Sequence, residues 1–234
     1  DNTLAVWPEG KIPDSAQYCI DELQRRGHLV SLATGRIQVD AMRFAEQAGI
    51  RNVVADGGHS ITIDGKLVSM IGMNRDMCIQ YLEYLESKHI PWAVTDRNKL
   101  GRITPYKEIL DWHPGWDVFK TIVDPEFDFH SVDDFYKIYV FFKEGEEEEK
   151  DIEHMTHKLI RYGEGCVLYE PMEKALGIKN MISHFDVNPN QVVVFGDGYN
   201  DLSMFRPEWL NIAMGNARDE LKLEADYITT DCDK

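Results

Sequence analysis

The sequence predicts an α/β protein: a parallel sheet covered by helices, interrupted by an inserted α+β domain. Three observations predict it. Short strand and helix patterns alternate over the first seventy residues or so, and the same rhythm resumes from Lys174. Between them, from about Asn74 to about Pro171, the βαβ regularity is lost.

Taken in order, Ala16, Ile20 and Leu23 recur at helical spacing, with Cys19 packed between them and Gly27 placed to end the helix. The apolar run Leu29-Val30-Ser31-Leu32-Ala33 predicts a strand, followed by Thr34-Gly35-Arg36. Ile37, Ala41, Phe44 and Ala48 mark one face of a second helix closed by Gly49. Asn52-Val53-Val54-Ala55 predicts another strand. Residues 61–68 carry a hairpin signal with Asp64-Gly65 at the turn, because Asp-Gly tolerates the positive φ that tight hairpins need.

The middle of the chain holds the strand Lys137-Ile138-Tyr139-Val140-Phe141-Phe142 and an acidic run, Glu144 to Glu153, expected at the solvated start of a helix. The cluster from Trp112 to Trp116 is read as core packing or as pocket lining. His154 and His157, three apart, are read as a solvated face rather than a metal pair. Beyond Lys174, Ile178, Met181, Ile182 and Phe185 make a helical face. Gln191 to Phe195, Asn211 to Met214 and Tyr227 to Thr229 predict strands.

The 234 residues are 43% hydrophobic and 28% charged, which suits a folded domain with a substantial core. Twenty-five basic against 41 acidic residues give a net charge of −16. That opposes a broad nucleic-acid footprint or attraction to anionic membranes, both of which need basic surface. Cys19, Cys78, Cys166 and Cys232 are scattered without metal-ligand spacing and read as reduced thiols of a cytoplasmic protein. No apolar run reaches membrane-spanning length, and no secretory leader is expected at the start.

Ligands of open parallel sheets bind beyond the carboxyl ends of the strands. Three polar clusters fall there: Asp197, Asn200 and Asp201 after one strand, Thr34 and Gly35 after another, and Asp1, Asn2 and Thr3 at the chain start. Converging carboxylates suit Mg²⁺, a hard cation with a preference for oxygen ligands. A hydroxyl and glycine amides ahead of a helix suit a phosphate group. Lys174 opens a helix and supplies a fixed positive charge, so metal-assisted phosphoryl transfer is the chemistry these parts point to.

At this point the sequence resembles the haloacid dehalogenase-like phosphatases, in particular their Cof-type branch. Asp1-Asn2-Thr3 matches the last three positions of a D-x-D-G/N-T motif, and Leu32-Ala33-Thr34-Gly35-Arg36 matches the second motif. Lys174-Ala175-Leu176-Gly177-Ile178 matches the lysine motif, and Gly196 to Asp201 matches G-D-x-x-N-D. The resemblance implies a Rossmann-like core of residues 1–73 and 172–234, with a type IIB α+β cap, residues 74–171, hinged near Asn74 and Pro171. It implies a Mg²⁺-dependent phosphatase of small phosphorylated metabolites, sugar phosphates first among them.

The same resemblance implies the roles. The family nucleophile is the aspartate two residues before the position that Asp1 matches, which places it upstream of Asp1 on an apolar strand central to the sheet. Asp1 is the general acid/base, and its backbone carbonyl ligates Mg²⁺. Asp197 is a metal ligand, and Asp201 is a ligand or the support behind one. Thr34, Gly35, Lys174 and Asn200 hold the phosphoryl oxygens, and Thr3 orients the first loop. Two rival readings use the same core: a phosphomutase, and an inert protein that binds a metabolite. The cap residues that choose a substrate and the oligomeric state carry no signature.

Overall fold

The computed structural model describes residues 2–6, 10–112, 120–143, 146, 159–163 and 165–234. The chain divides into two compact units, Asp1–Ser69 with Met172–Lys234, and Met70–Pro171.

The first unit begins with α1 (Asp14–Arg25), β1 (Ser31–Ala33), α2 (Gln38–Gln47), β2 (Asn52–Ala55), β3 (Ser60–Ile63) and β4 (Lys66–Met70). The strands form one sheet in the order β1-β2-β3-β4. β1 and β2 run parallel, with Leu32 beside Val53, as a crossover through α2 requires. β3 turns back antiparallel to β2. Asp64 and Gly65 both have positive φ, 50° and 76°, which is the backbone the Asp-Gly signal predicts between β3 and β4. Ile20 of α1 and the small faces of Ala41, Ala45 and Ala48 pack on Ile50, Val53 and Ala55. Two expectations shift here. β1 starts at Ser31, leaving Leu29 41% exposed, and Cys19 lies exposed on α1 rather than packed.

The second unit contains α3 (Arg75–Ser87), β5 (Trp92–Thr95), β6 (Gly101–Thr104), a single turn α4 (Ile109–Trp112), β7 (Lys120–Val123), β8 (Lys137–Phe141), β9 (Leu159–Gly163) and β10 (Cys166–Tyr169). Its six-stranded sheet has the order β7-β6-β5-β8-β10-β9. Asn74 caps α3, its side-chain oxygen accepting from the Met77 amide at 3.0 Å. Cys78, Tyr81, Leu82 and Leu85 of α3 bury themselves against Trp92, Val94, Ile138, Val140 and Val167. The strand expected over 137–142 is β8, buried along its whole length. Lys137 and Glu170 form a buried ion pair in this unit. The segment 113–116, the acidic run apart from Glu146, and His154 and His157 lie outside the described residues.

The chain then returns to the first unit with α5 (Lys174–His184), β11 (Val193–Gly196), β12 (Leu210–Ala213), α6 (Asp219–Leu223) and β13 (Tyr227–Ile228). These three strands make a second, fully parallel sheet, β11-β12-β13. α5 serves both sheets. Ile182, Ala175 and Ile178 meet Val192 and Val194, while Met181, Ile178 and Phe185 meet Val54, Ile61 and Ile63. Ala33 of β1 touches both clusters. β1 and β11 are therefore edge strands of two sheets that share one helix, and Val193 and Phe195 of β11 are each 48% exposed. Among the described residues, no helix is long and apolar enough to cross a membrane.

Candidate active site

The carboxyl end of β11 carries a cluster of hydrogen-bonded polar groups. The strand ends at Gly196, and the chain passes through Asp197 and Gly198 into a 3-10 segment, Tyr199–Met204. A Cβ on Gly196 would stand 2.7 Å from the Cβ of Asp201, so only glycine lets this loop close on itself. Asp201 Oδ2 accepts from the amides of Asp197 and Gly198, at 2.9 and 3.0 Å. Its Oδ1 accepts from Lys174 Nζ at 2.6 Å. Both side chains are nearly fully buried, 5% exposed for Lys174 and 7% for Asp201.

Burial alone would push the Asp201 carboxyl up. The Lys174 charge, its hydrogen bond and the two amides outweigh that and hold it below the usual carboxylate range. Asp197 behaves in the opposite way. Burial pushes its carboxyl up, against the hydrogen bond from the Thr3 hydroxyl, and the nearby Asp201 charge pushes the same way. Lys174 is engaged by Asp201, and among the described residues no cationic side chain pairs with Asp197. The half-buried Asp197 carboxyl, with the Asp201 carboxylate and the Thr3 hydroxyl beside it, offers the oxygen groups that a hard divalent cation prefers, so these residues fit Mg²⁺. Among the described residues no group of three acidic, histidine or cysteine side chains converges on one point. Asp1, expected as a further ligand and as the acid/base, lies outside the described residues.

Thr34 follows β1. Its amide donates to Val54 O at 2.9 Å, its carbonyl accepts from the Gly57 amide at 3.1 Å, and its hydroxyl accepts from the Arg36 amide at 3.1 Å. α2 begins later than Thr34 would cap it, with Ile37 at the N-cap position, so Thr34 and Gly35 belong to the loop before the helix. Arg36 pairs with Asp40, at 2.8 Å, one turn along. Asn200 sits in the turn after β11, half-buried, and its Oδ1 lies 2.9 Å from where a Cβ on Gly198 would be.

Hydrogen bonds thus join Lys174, Asp201, Asp197 and Thr3. Thr34 reaches the start of α5 through Gly57, whose carbonyl accepts from the Glu173 amide at 2.7 Å. Two further residues, given no role from the sequence, hold loops around these groups. Asn216 donates from Nδ2 to Asn2 O at 2.9 Å and accepts from the Cys232 amide at 2.7 Å, tying the first loop to the end of the chain. Asp56, 1% exposed, follows β2. Its place at a strand end is the signal that could have found it. His59 meets Glu173 Oε2 at 2.8 Å.

A family model described as haloacid dehalogenase-like hydrolase matches residues 1–234. A Streptococcus pyogenes protein, provisionally named a bifunctional phosphatase/peptidyl-prolyl cis-trans isomerase, is 26% identical over 237 residues. The match covers 98% of this chain and 49% of that protein, so the chain spans about half of its length. The 5-amino-6-(5-phospho-D-ribitylamino)uracil phosphatase YcsE of Bacillus subtilis is 28% identical over 233 residues, 98% of this chain and 86% of that one. The crystal structure of the subclass IIB sugar phosphatase BT4131 superposes with a TM-score of 0.77 at 21% identity, covering all of this chain and 92% of the other, a likeness of fold.

Proposed function

The chain belongs to the haloacid dehalogenase-like hydrolase family, and from that premise we propose that it is a phosphatase that hydrolyses small phosphorylated metabolites, sugar phosphates first among them, with Mg²⁺ and through an aspartyl-phosphate. The observation that carries the reading is the division of labour between two aspartates. Asp201 is engaged by Lys174 and two amides, while the half-buried Asp197 carboxyl beside it accepts from the Thr3 hydroxyl and, among the described residues, forms no ion pair with a cationic side chain.

In this reading Asp197 and the Asp1 carbonyl hold the metal, and Asp201 is the support that aims Asp197. Mg²⁺, when bound, neutralises and orients the phosphoryl oxygens. Lys174, Thr34, the Gly35 amide and Asn200 hold the remaining phosphoryl oxygens. The nucleophile is an aspartate preceding Asp1 on a strand that pairs between β1 and β11. Support comes from the edge positions of those strands and from the half-exposed apolar side chains Val193 and Phe195, which an additional strand would cover. The nucleophile's carboxylate attacks phosphorus, the ester P–O bond breaks, and Asp1 gives its proton to the leaving alkoxide. Asp1 then takes a proton from water, the water oxygen bonds to phosphorus, and the acyl-phosphate P–O bond breaks to release phosphate.

The second unit is the cap in this reading. The substrate class is supported by the phosphoribityl compound in the name of YcsE and by the sugar phosphatase whose fold matches. Nucleic acid is not a partner, given the net charge of −16. The four free cysteines support a cytoplasmic setting. A panel of sugar and sugar-alcohol phosphates, assayed for released phosphate with Mg²⁺, tests the proposal. Turnover on several of them is expected. Isomerised sugar phosphate without phosphate release, dependent on a hexose bisphosphate, would make the protein a mutase instead.

A further inference from the structure

The turn Asp56-Gly57-Gly58 joins the two elements that present Thr34 and Lys174. On one side, the Asp56 amide donates to Arg36 O at 2.9 Å and the Gly57 amide to Thr34 O at 3.1 Å. Asp56 Oδ2 accepts from the amide of Gln38, the first residue of α2, at 3.0 Å and from Ser60 Oγ at 2.8 Å. Gln38 in turn donates from Nε2 to Thr62 Oγ1 at 2.8 Å, so the carboxylate anchors a buried network across α2 and β3. An anionic acceptor at the first amide of a helix also meets the favourable end of its dipole.

On the other side, Gly57 O accepts from the Glu173 amide at 2.7 Å. Gly58 has φ of 112°, and a Cβ there would lie 2.1 Å from Glu173 O. A Cβ on Gly177 of α5 would lie 2.4 Å from Val54 Cγ1 and 2.8 Å from Gly58 O. The start of α5 therefore sits against this turn with no slack, and two hydrogen bonds through a single residue span the gap from Thr34 to the residue before Lys174.

We propose that the Asp56-Gly57-Gly58 turn sets the spacing between Thr34 and Lys174, with the buried Asp56 as its positioning residue. The proposal rests on the reading that those two groups hold phosphate. Asp56 touches no substrate; it acts by fixing both the loop before α2 and the seat of α5. Displacing either by a fraction of an ångström misaligns two phosphate-holding groups that come from different elements.

Calorimetric titration of the protein with inorganic phosphate in the presence of Mg²⁺, and with Mg²⁺ alone, tests this on Asp56→Ala, Asp56→Asn and Ser60→Ala. Thermal melts confirm that each variant is folded at the titration temperature. Asp56→Ala is expected to weaken phosphate binding by about tenfold or more while Mg²⁺ affinity stays unchanged. Asp56→Asn, which keeps an acceptor oxygen, restores affinity to within about threefold, and Ser60→Ala, which removes one donor, weakens phosphate binding by a similar small factor. If Asp56→Ala does not fold, Ser60→Ala and Asp56→Asn carry the test. Asp56→Ala binding phosphate as tightly as the unsubstituted protein overturns the proposal, as does Ser60→Ala doing so where Asp56→Ala does not fold, and so does a parallel fall in phosphate and Mg²⁺ affinities. If the unsubstituted protein binds Mg²⁺ but no phosphate, the phosphate-site reading itself fails and takes the proposal with it.

Discussion

Lys174 and Asp201 are each almost entirely removed from water, so neither tolerates the loss of the other. Lys174→Met leaves a buried carboxylate with only its two amides, and we expect a loss of about 3 kcal/mol in urea unfolding. Pairing it with Asp201→Leu removes the orphaned charge and recovers most of that loss, whereas equal destabilisation by the single and double variants would contradict the coupling. These residues were legible from the sequence because each sits at the end of an apolar run or the start of a helical one, where a parallel sheet gathers polar groups. How Asp201 uses its oxygens was not legible. Whether a carboxylate faces a metal or a lysine depends on approach angles that Gly196 makes possible, and spacing alone carries no such information. Asp56 was missed for a related reason. An Asp-Gly-Gly string reads as a solvent-exposed turn, and its burial comes from β2, α2 and α5 closing on it.

At the level of elements, helical and strand periodicity located α1, α2, β2, β8 and α5, and the Asp64-Gly65 turn, because each has a one-sided or fully buried pattern. Boundaries drifted where tertiary contact decides. Leu29 reads as strand but stays 41% exposed ahead of β1, and Leu23 on α1 is 42% exposed despite its helical spacing with Ile20. One contact between elements of the second unit gives a pH prediction. His130, in the turn after Phe129, lies between Glu83 of α3 at 3.2 Å and Asp128 at 3.0 Å. The hydrogen bond to Glu83, then that to Asp128, holds its imidazolium above the ordinary 6.5. A raised folded-state value contributes stability that is fully present below about 6.5 and lost as pH rises through the folded value. NMR titration should show His130 titrating above 6.5 and moving down in Glu83→Gln. An unchanged midpoint in that variant would contradict the assignment.

For the whole molecule, two sheets of the first unit share α5 and present β1 and β11 as edges, an arrangement that element-by-element reading could not deliver because pairing partners lie far apart in sequence. The net charge of −16 also acts at this scale. A dianionic substrate approaches against a repulsive field, and salt screens that field over about 10 Å at 0.1 M. With Mg²⁺ fixed, kcat/KM for a sugar phosphate should therefore rise, by about twofold, as ionic strength increases from about 0.02 to 0.2 M. A steep fall would contradict it. The most direct test of the central claim is hydrolysis of p-nitrophenyl phosphate with and without Mg²⁺, run beside Asp197→Asn. Mg²⁺-dependent turnover is expected, falling by about a hundredfold or more in the variant. Turnover indifferent to Mg²⁺, or undiminished in Asp197→Asn, would contradict it.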